Sequence, residues 1–468
     1  MRLPQLRHAV FLLLACVAAN PKPAAAQDAG TIIRFTVHPA GDPTPALKHR
    51  LMPPLLEQRP GNAAVWYGKV AAEQQAFFVD REMWKAIEQA DEWPLEEVLA
   101  NEQIQKATRD SPIFFHLENA ARSDHVDWQL PFRDQPYYTM LLPETQQTRQ
   151  FSRLLAVRVR RQVAKRDFEG AIRSLQSGYA LARFVAEGHT MVNGLVGIDE
   201  SNAMSRQVRE FVQHPESPNL YWALTALPDP LINARPGIEA ELAALELSFP
   251  FLQDLTRSEY GEEYWRGQLE EVWKLARNFT DQSDDQLAFL GDVVRGYPIA
   301  KQGLIDAGWE SDRVEKLAVS QAILAYSMLQ YEARRDGLLK WLFVPYPASH
   351  PQPSVENVFA EADSEEILPL SGAFLPAFQG YRYAMARAQR EIAVLRMVEA
   401  IRLYGSRHEG RIPPSLDAFE VPIPLDPMTG KPFEYRVDQQ TAIIEGPPSH
   451  PSGSDSLHAE VRFATATP

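Results

Sequence analysis

Apolar residues recur at helical spacing through most of this chain. From Ala63 to about Ala90 they include Val65, Val70, Phe77, Phe78 and Trp84, and beyond Pro94 the set Leu95, Val98, Leu99 and Ile104 predicts a further short helix. Between Gln150 and Gly188 the pattern predicts a helical hairpin. Leu155, Val159 and Val163 share one face of its first helix, Ala164 to Asp167 make the turn, and Phe168, Ala171, Ile172, Leu175, Tyr179 and Ala182 line its second. Ala171 and Gly178 are small enough to let those two helices approach closely. Helices are further predicted over Met191–Gln213, Pro218–Leu227, Pro236–Leu247, Glu259–Asn278, Gln286–Val294 and Arg313–Phe343, with prolines at the corners between them. A long helix runs from Phe374 to about Arg407, where Gly410 stops it. Alternation with period two is confined to Thr31–His38, Phe433–Val437, Thr441–Glu445 and Ala459–Ala464.

These elements imply a mainly α fold: an irregular, α-solenoid-like array of helical hairpins with a small C-terminal helix-plus-antiparallel-sheet unit. The expected blocks are a signal segment at 1–26, a strand and Pro-rich segment at 27–62 and a helical array at 63–348. A linker at 349–373 and a C-terminal block at 374–468 follow. The acidic run Asp363, Glu365 and Glu366 reads as a solvated face of that linker.

The N-terminus adds a destination. Arg2, Arg7 and His8 precede an apolar run from Ala9 to Ala19, too short to span a bilayer, and Ala24-Ala25-Ala26 offers a signal-peptidase site before Gln27. Leu13-Leu14-Ala15-Cys16 also resembles a lipobox, which makes lipidation of Cys16 the alternative form of export. Cys16 is the one cysteine of the chain, so no intramolecular disulfide is expected and core packing must hold the fold. The 47 Lys and Arg residues face 61 Asp and Glu, a formal charge of −14 that disfavours nucleic-acid binding. An extracytoplasmic location, periplasmic or secreted, is therefore expected, with membrane attachment only through a lipid on Cys16.

Three resemblances follow from particular residues. Asp167 to Ala171, opening the second helix of the hairpin, resembles one tetratricopeptide-type unit over about 40 residues. The stretch Leu403-Tyr404 through Glu409-Gly410-Arg411-Ile412-Pro413, Ser415-Leu416, and then Pro424-Leu425-Asp426-Pro427, Thr429-Gly430-Lys431-Pro432-Phe433 and Tyr435, resembles the globular end of a type II secretion pseudopilin. That likeness implies the fold of the C-terminal block. The chain also departs from pseudopilins, which carry this unit on an N-terminal membrane helix, so a packing cap is expected instead of a polymerising subunit. Four motifs together resemble an uncharacterised family of secreted proteins of planctomycete-like bacteria. They are Pro60-Gly61-Asn62-Ala63-Ala64, Asp127-Trp128-Gln129-Leu130-Pro131, Pro218-Asn219-Leu220-Tyr221-Trp222-Ala223-Leu224 and Asp426 to Pro432. The likeness implies export and a shared helical fold, and no activity.

Catalytic signatures are missing from the sequence. His408-Glu409 lacks the second histidine of a zinc helix, and neither a nucleophile elbow nor a phosphate loop occurs. His116, Asp124, His125 and Asp127, with Glu118 nearby, have the residue types of a divalent-metal site, or else of a braced loop in which the carboxylates cap a turn. Glu263 and Glu270 lie two helical turns apart beside Tyr264, Trp265 and Trp273. That pattern suits the paired carboxylates of a glycosidase, or the solvated side of a helix whose aromatics face inward. The segment Pro218–Leu224 can line a sugar cleft or be buried. No cofactor is implied. The sequence points to a non-catalytic exported envelope protein, a helical scaffold or binding surface with envelope protein partners. The alternative is an exported hydrolase acting on glycans.

Overall fold

The computed structural model describes residues 32–132, 134–257, 259–279, 286–349, 366–375, 377–448 and 456–464. Cys16, the expected signal segment, and Asp363 and Glu365 of the acidic run lie outside the described residues. The strands are β1 (Ile33–Val37), β2 (Arg59–Asn62), β3 (Ser123–His125), β4 (Glu434–Asp438), β5 (Thr441–Gly446) and β6 (Leu457–Phe463). The helices used below are α1 (Ala63–Glu73), α2 (Pro112–Ala121), α3 (Pro143–Ala164), α4 (Phe168–Ala186) and α5 (Met191–Phe211). They continue with α6 (Glu262–Arg277), α7 (Gln286–Asp306), α8 (Val319–Leu339) and α9 (Ala377–Arg407). The fold is mainly α with a small sheet. It divides into a larger unit, drawn from residues 22–130, 141–237 and 384–468, and a smaller one from 131–140 and 238–383. The expected block 63–348 is thus shared between the two units.

In the larger unit the predicted hairpin forms as α3 and α4. Arg166 takes a left-handed φ of 60° in the turn, and the Asp167 carboxylate caps α4 by accepting from the Gly170 N–H at 2.9 Å. Gly178 serves a different neighbour from the one expected. A Cβ there would lie 2.0 Å from the sulfur of Met204, so the missing side chain makes room for α5, and α3 is not its partner.

The C-terminal strands pair as expected, but the sheet has a fourth member that periodicity alone does not assign. β1 lies parallel to β6, with Ile33 beside Ala459 and Val37 beside Phe463, giving the order β1-β6-β5-β4. The C-terminal strands β4, β5 and β6 are antiparallel as expected, and β1 is added to them in parallel. The physical reason is burial: Ile33, Phe35 and Val37 point to the core, and pairing β1 with β6 covers an edge that would otherwise be open. The β4–β5 turn places both Gln439 (φ 44°) and Gln440 (φ 67°) in the left-handed region, as a two-residue hairpin demands.

The Pro218–Leu224 segment is buried structure. Arg402 and Glu399 of α9 form an ion pair with no solvent exposure on either side chain, at 2.9–3.0 Å. Arg402 uses all five donors. Its Nε reaches the His38 carbonyl at 3.0 Å, Nη2 reaches the carbonyl and hydroxyl of Ser217, and Nη1 holds both Glu399 oxygens. Glu399 Oε1 also accepts from the Leu220 N–H. Asn219 Nδ2 donates to the carbonyls of Glu399 and Ala40, and its Oδ1 caps Tyr221. Trp222 Nε1 donates to Asp42 at 3.0 Å, and the Tyr221 hydroxyl donates to the Pro422 carbonyl.

The Asp426–Pro432 turn is stapled to the same helix. Asp426, fully buried, accepts from Arg390 Nη2 at 2.7 Å and from the Met428 N–H at 3.0 Å, while Arg390 also donates to the Pro447 carbonyl. Gly446 leaves room for that guanidinium, since a Cβ there would sit 2.1 Å from Arg390 Nη2. Gly430 (φ 67°) closes the turn, and Gly410 (φ 77°) ends α9 by donating back to the Gly405 carbonyl at 2.8 Å.

In the smaller unit α7 runs through Pro298 to Asp306, where the sequence predicted a stop near Val294. Pro298 is exposed, so the Val294 carbonyl that loses its donor lies on the solvent side, where the loss costs least. The C-terminal part of the expected linker is packed, not solvated. Leu368, Leu370 and Ser371 are buried, and Glu366 is paired with Arg334 and accepts from the Ser371 N–H at 3.2 Å.

Two outcomes are expected from stability measurements on the larger unit. Arg402→Met strands Glu399 in the core and should lower unfolding free energy by about 3–5 kcal/mol, whereas the Glu399→Leu/Arg402→Met double variant should lose clearly less. Gln439→Asn with Gln440→Gly relieves the left-handed strain and should raise stability by roughly 1 kcal/mol, read from the urea midpoint.

Candidate functional site

The residues expected to hold a metal are spent on a backbone clasp. Gly61 (φ 151°) and Asn62 meet the segment after α2 in the short parallel ladder β2–β3. The Gly61 N–H donates to Asp124 Oδ1 at 3.0 Å. Asn62 Oδ1 accepts from the Ala64 and Asp127 N–H groups, and its Nδ2 donates to the Asp127 carbonyl at 2.8 Å. His125 Nδ1 lies 2.7 Å from Asp124, and the Asp127 carboxylate accepts from Gln129, itself at φ 51°. The Gly61 N–H, and after it His125, hold the Asp124 carboxyl below its usual range. His116 is elsewhere engaged, with Nε2 2.9 Å from Glu73 of α1. Among the described residues no group of three or more His, Cys, Asp or Glu side chains is placed to hold a metal.

The clasp fixes the start of α1, and with it an aromatic surface that the sequence pattern does not single out. Trp66 of α1 meets Phe115 of α2 edge to face at 6.3 Å and lies 5.7 Å from the His116 ring, with Lys69 Nζ 4.3 Å from its centroid. Phe115 is 60% exposed and Val65, next to Trp66, is 56% exposed. His116 Nδ1 is buried without a partner, while its Nε2 is held by Glu73. On the opposite face of α1, Tyr67 stacks on Trp128 at 5.7 Å, and Trp128 Nε1 donates to the Phe184 carbonyl at 2.9 Å. The motifs Pro60–Ala64 and Asp127–Pro131 are therefore two halves of one brace, with Trp66 and Phe115 presented beside it. The platform carries apolar area, a cation and a His–Glu pair, which suits adhesion of another surface.

The carboxylates considered for glycosidase work are on α6 of the smaller unit. Glu263 is exposed and Glu270 pairs with Lys274 at 3.4 Å, while Trp265 and Trp273 turn inward. It is Glu262 that makes the tertiary contact, accepting from the N–H and hydroxyl of Ser320 at the start of α8.

Two acids that drew no notice in the sequence are strongly perturbed. Glu200 of α5 is buried, and neither of its oxygens has a hydrogen-bond partner. The nearby Thr148 hydroxyl donates instead to the Thr145 carbonyl at 2.8 Å. Burial pushes its carboxyl up to about 8, against a smaller pull downward from Thr148 and Arg149. In the smaller unit Glu241 accepts from the Tyr137 hydroxyl at 2.7 Å, and burial raises it to about 7. Both occupy helical positions whose neighbours in sequence are ordinary, so only the packing reveals them.

No family model, curated protein or solved structure matches this chain.

The raised Glu200 carboxyl makes stability depend on pH in a definite direction. The unfolded chain releases this proton near 4.5 and the folded chain near 8, so the stabilisation is complete below 4.5 and falls as pH rises to 8. Glu200→Gln should remove that part of the decline, on the order of 4 kcal/mol between pH 5 and 8.5, measured by urea unfolding across the range.

Proposed function

We propose that this chain is a non-catalytic envelope protein, exported across the cytoplasmic membrane, whose helical array is a scaffold presenting a protein-binding surface. The observation that carries the reading is the platform of half-buried Trp66 and exposed Phe115 and Val65, on α1 and α2 beside the Asn62 clasp. An apolar patch on a braced helix pair binds without the entropy cost of ordering a loop. Supporting it, most of the polar groups that suggested chemistry in the sequence are engaged elsewhere: Asp124 and Asp127 in the clasp, His116 with Glu73, and Glu270 with Lys274. The apolar run Ala9–Ala19 with the Ala24–Ala26 site supports export, and the likeness to secreted planctomycete-type proteins points the same way.

Crosslinking the tagged protein in native envelopes should recover a reproducible protein partner. Phe115→Ser combined with Val65→Ser should reduce that recovery more than tenfold while leaving thermal unfolding within a few degrees of the parent. Recovery unchanged by these substitutions, or glycan hydrolysis by the purified protein, would overturn the reading.

A further inference from the structure

The smaller unit exposes apolar side chains at one end of an antiparallel helix pair. Two contacts fix the direction. Gly303 of α7 abuts the Tyr326 ring of α8, and Gly296 abuts Ile367, whose neighbour Glu366 pairs with Arg334 of α8. Going back along α7 therefore goes forward along α8, and Leu290 is level with the end of α8 at Leu339. There the chain enters Lys340–Phe343 and Val344. Leu290 (45% exposed), Val294 (73%), Phe343 (46%) and Val344 (38%) thus gather at the same end of the pair.

Cations seated on aromatic rings surround this end. Lys340 lies 5.6 Å from the Trp341 ring, Arg382 lies 5.1 Å from Tyr346, and Arg277 lies 4.9 Å from Trp273, which in turn stacks on Phe289 of α7 at 4.5 Å. The nearby acids Asp292 and Asp336 are each paired with an arginine, at 2.5 and 2.9 Å. From Gly337 to Ser349 the chain carries Lys340 and no acidic residue, within a protein of net charge −14.

We propose that this end of the smaller unit rests in the interfacial layer of an anionic phospholipid bilayer. Leu290, Val294, Phe343 and Val344 enter the acyl boundary, and Trp341, Tyr346 and their cations lie at headgroup depth. Tryptophan and tyrosine sit at that depth because one part of the ring is apolar and the other wet, and lysine and arginine reach the phosphates from it. The charge argues for lipid over a second copy. A two-fold contact through this end would set Lys340, Arg277 and Arg382 against their own copies, whereas anionic headgroups complement them. The inference deepens the proposed envelope role by adding a bilayer as partner of the smaller unit. It is read on purified protein and on residues other than Phe115 and Val65, so the two can fail separately.

The test is flotation of the full chain, carrying Cys16→Ser to exclude lipidation, with phosphatidylcholine vesicles that contain or lack about one third phosphatidylglycerol. The parent should float with the anionic vesicles, and Leu290→Asp/Val294→Asp/Phe343→Ser should lower the bound fraction at least tenfold. Lys340→Glu, a surface change that leaves the apolar contacts intact, should lower it several-fold. Brominated lipid should quench the parent's fluorescence, and Trp341→Phe should remove a measurable part of that quenching. Equal flotation of parent and triple variant would overturn the proposal, because the N-terminal apolar run common to both would then be the anchor. A parent that does not float, or a lipid-independent dimer that the triple variant dissolves, would overturn it as well.

Discussion

The larger unit depends on one guanidinium. Arg402 has no contact with solvent, and its five N–H groups are divided among the segment after β1, the loop that follows α5, and Glu399 on its own helix. A buried charge is costly to bring out of water, and it is tolerated only where every donor is met. Three segments distant in sequence must therefore arrive together or not at all. The aromatic Leu220–Leu224 stretch, the start of the chain's described part and the long helix are positioned by that requirement, and the sheet packs on the result. Arg390 repeats the arrangement further back on the same helix, with Asp426 as its acid and the Asp426–Pro432 turn as what it fixes.

Several short motifs that stand out in this sequence hold loops in place. Pro218-Asn219-Leu220-Tyr221, Asp426-Pro427 and Gly61-Asn62 each place a side-chain amide or carboxylate where backbone N–H groups converge. Such residues cannot be exchanged for apolar ones without leaving buried donors unmet, so they stand out in sequence as an active site would. Their chemistry is used in holding loops closed.

How much of this was legible beforehand follows from the range of each interaction. The α3–α4 hairpin, its Asp167 cap and the Gly410 stop were readable because each depends on residues within a few positions of one another. The β1–β6 pairing was not, since alternation in Thr31–His38 announces a strand and says nothing of its partner more than 400 residues away. Pro298 misled because it lies on the solvent side of the helix, where the freed carbonyl can be hydrated and the loss costs less. His116, Asp124, His125 and Asp127 were noticed for their residue types, and the structure assigns each a neighbour that spacing could not name: Glu73, Gly61, Asp124 and Gln129. Glu200 carried no signal at all, because the perturbation of a buried acid belongs to its surroundings.

The pairing of β1 with β6 has a consequence for how the polypeptide is made. A strand near residue 35 waits for one near residue 460, so the sheet cannot close until both have left the ribosome. Until then Ile33, Phe35 and Val37 have no place to be buried, and the His38 and Ala40 carbonyls lack the donors on Arg402 and Asn219. The sheet and the Arg402 junction of the larger unit therefore close together, after both ends are present. That order makes the closing of the sheet and of the Arg402 junction a late step, while short-range elements such as the α3–α4 hairpin do not wait for it.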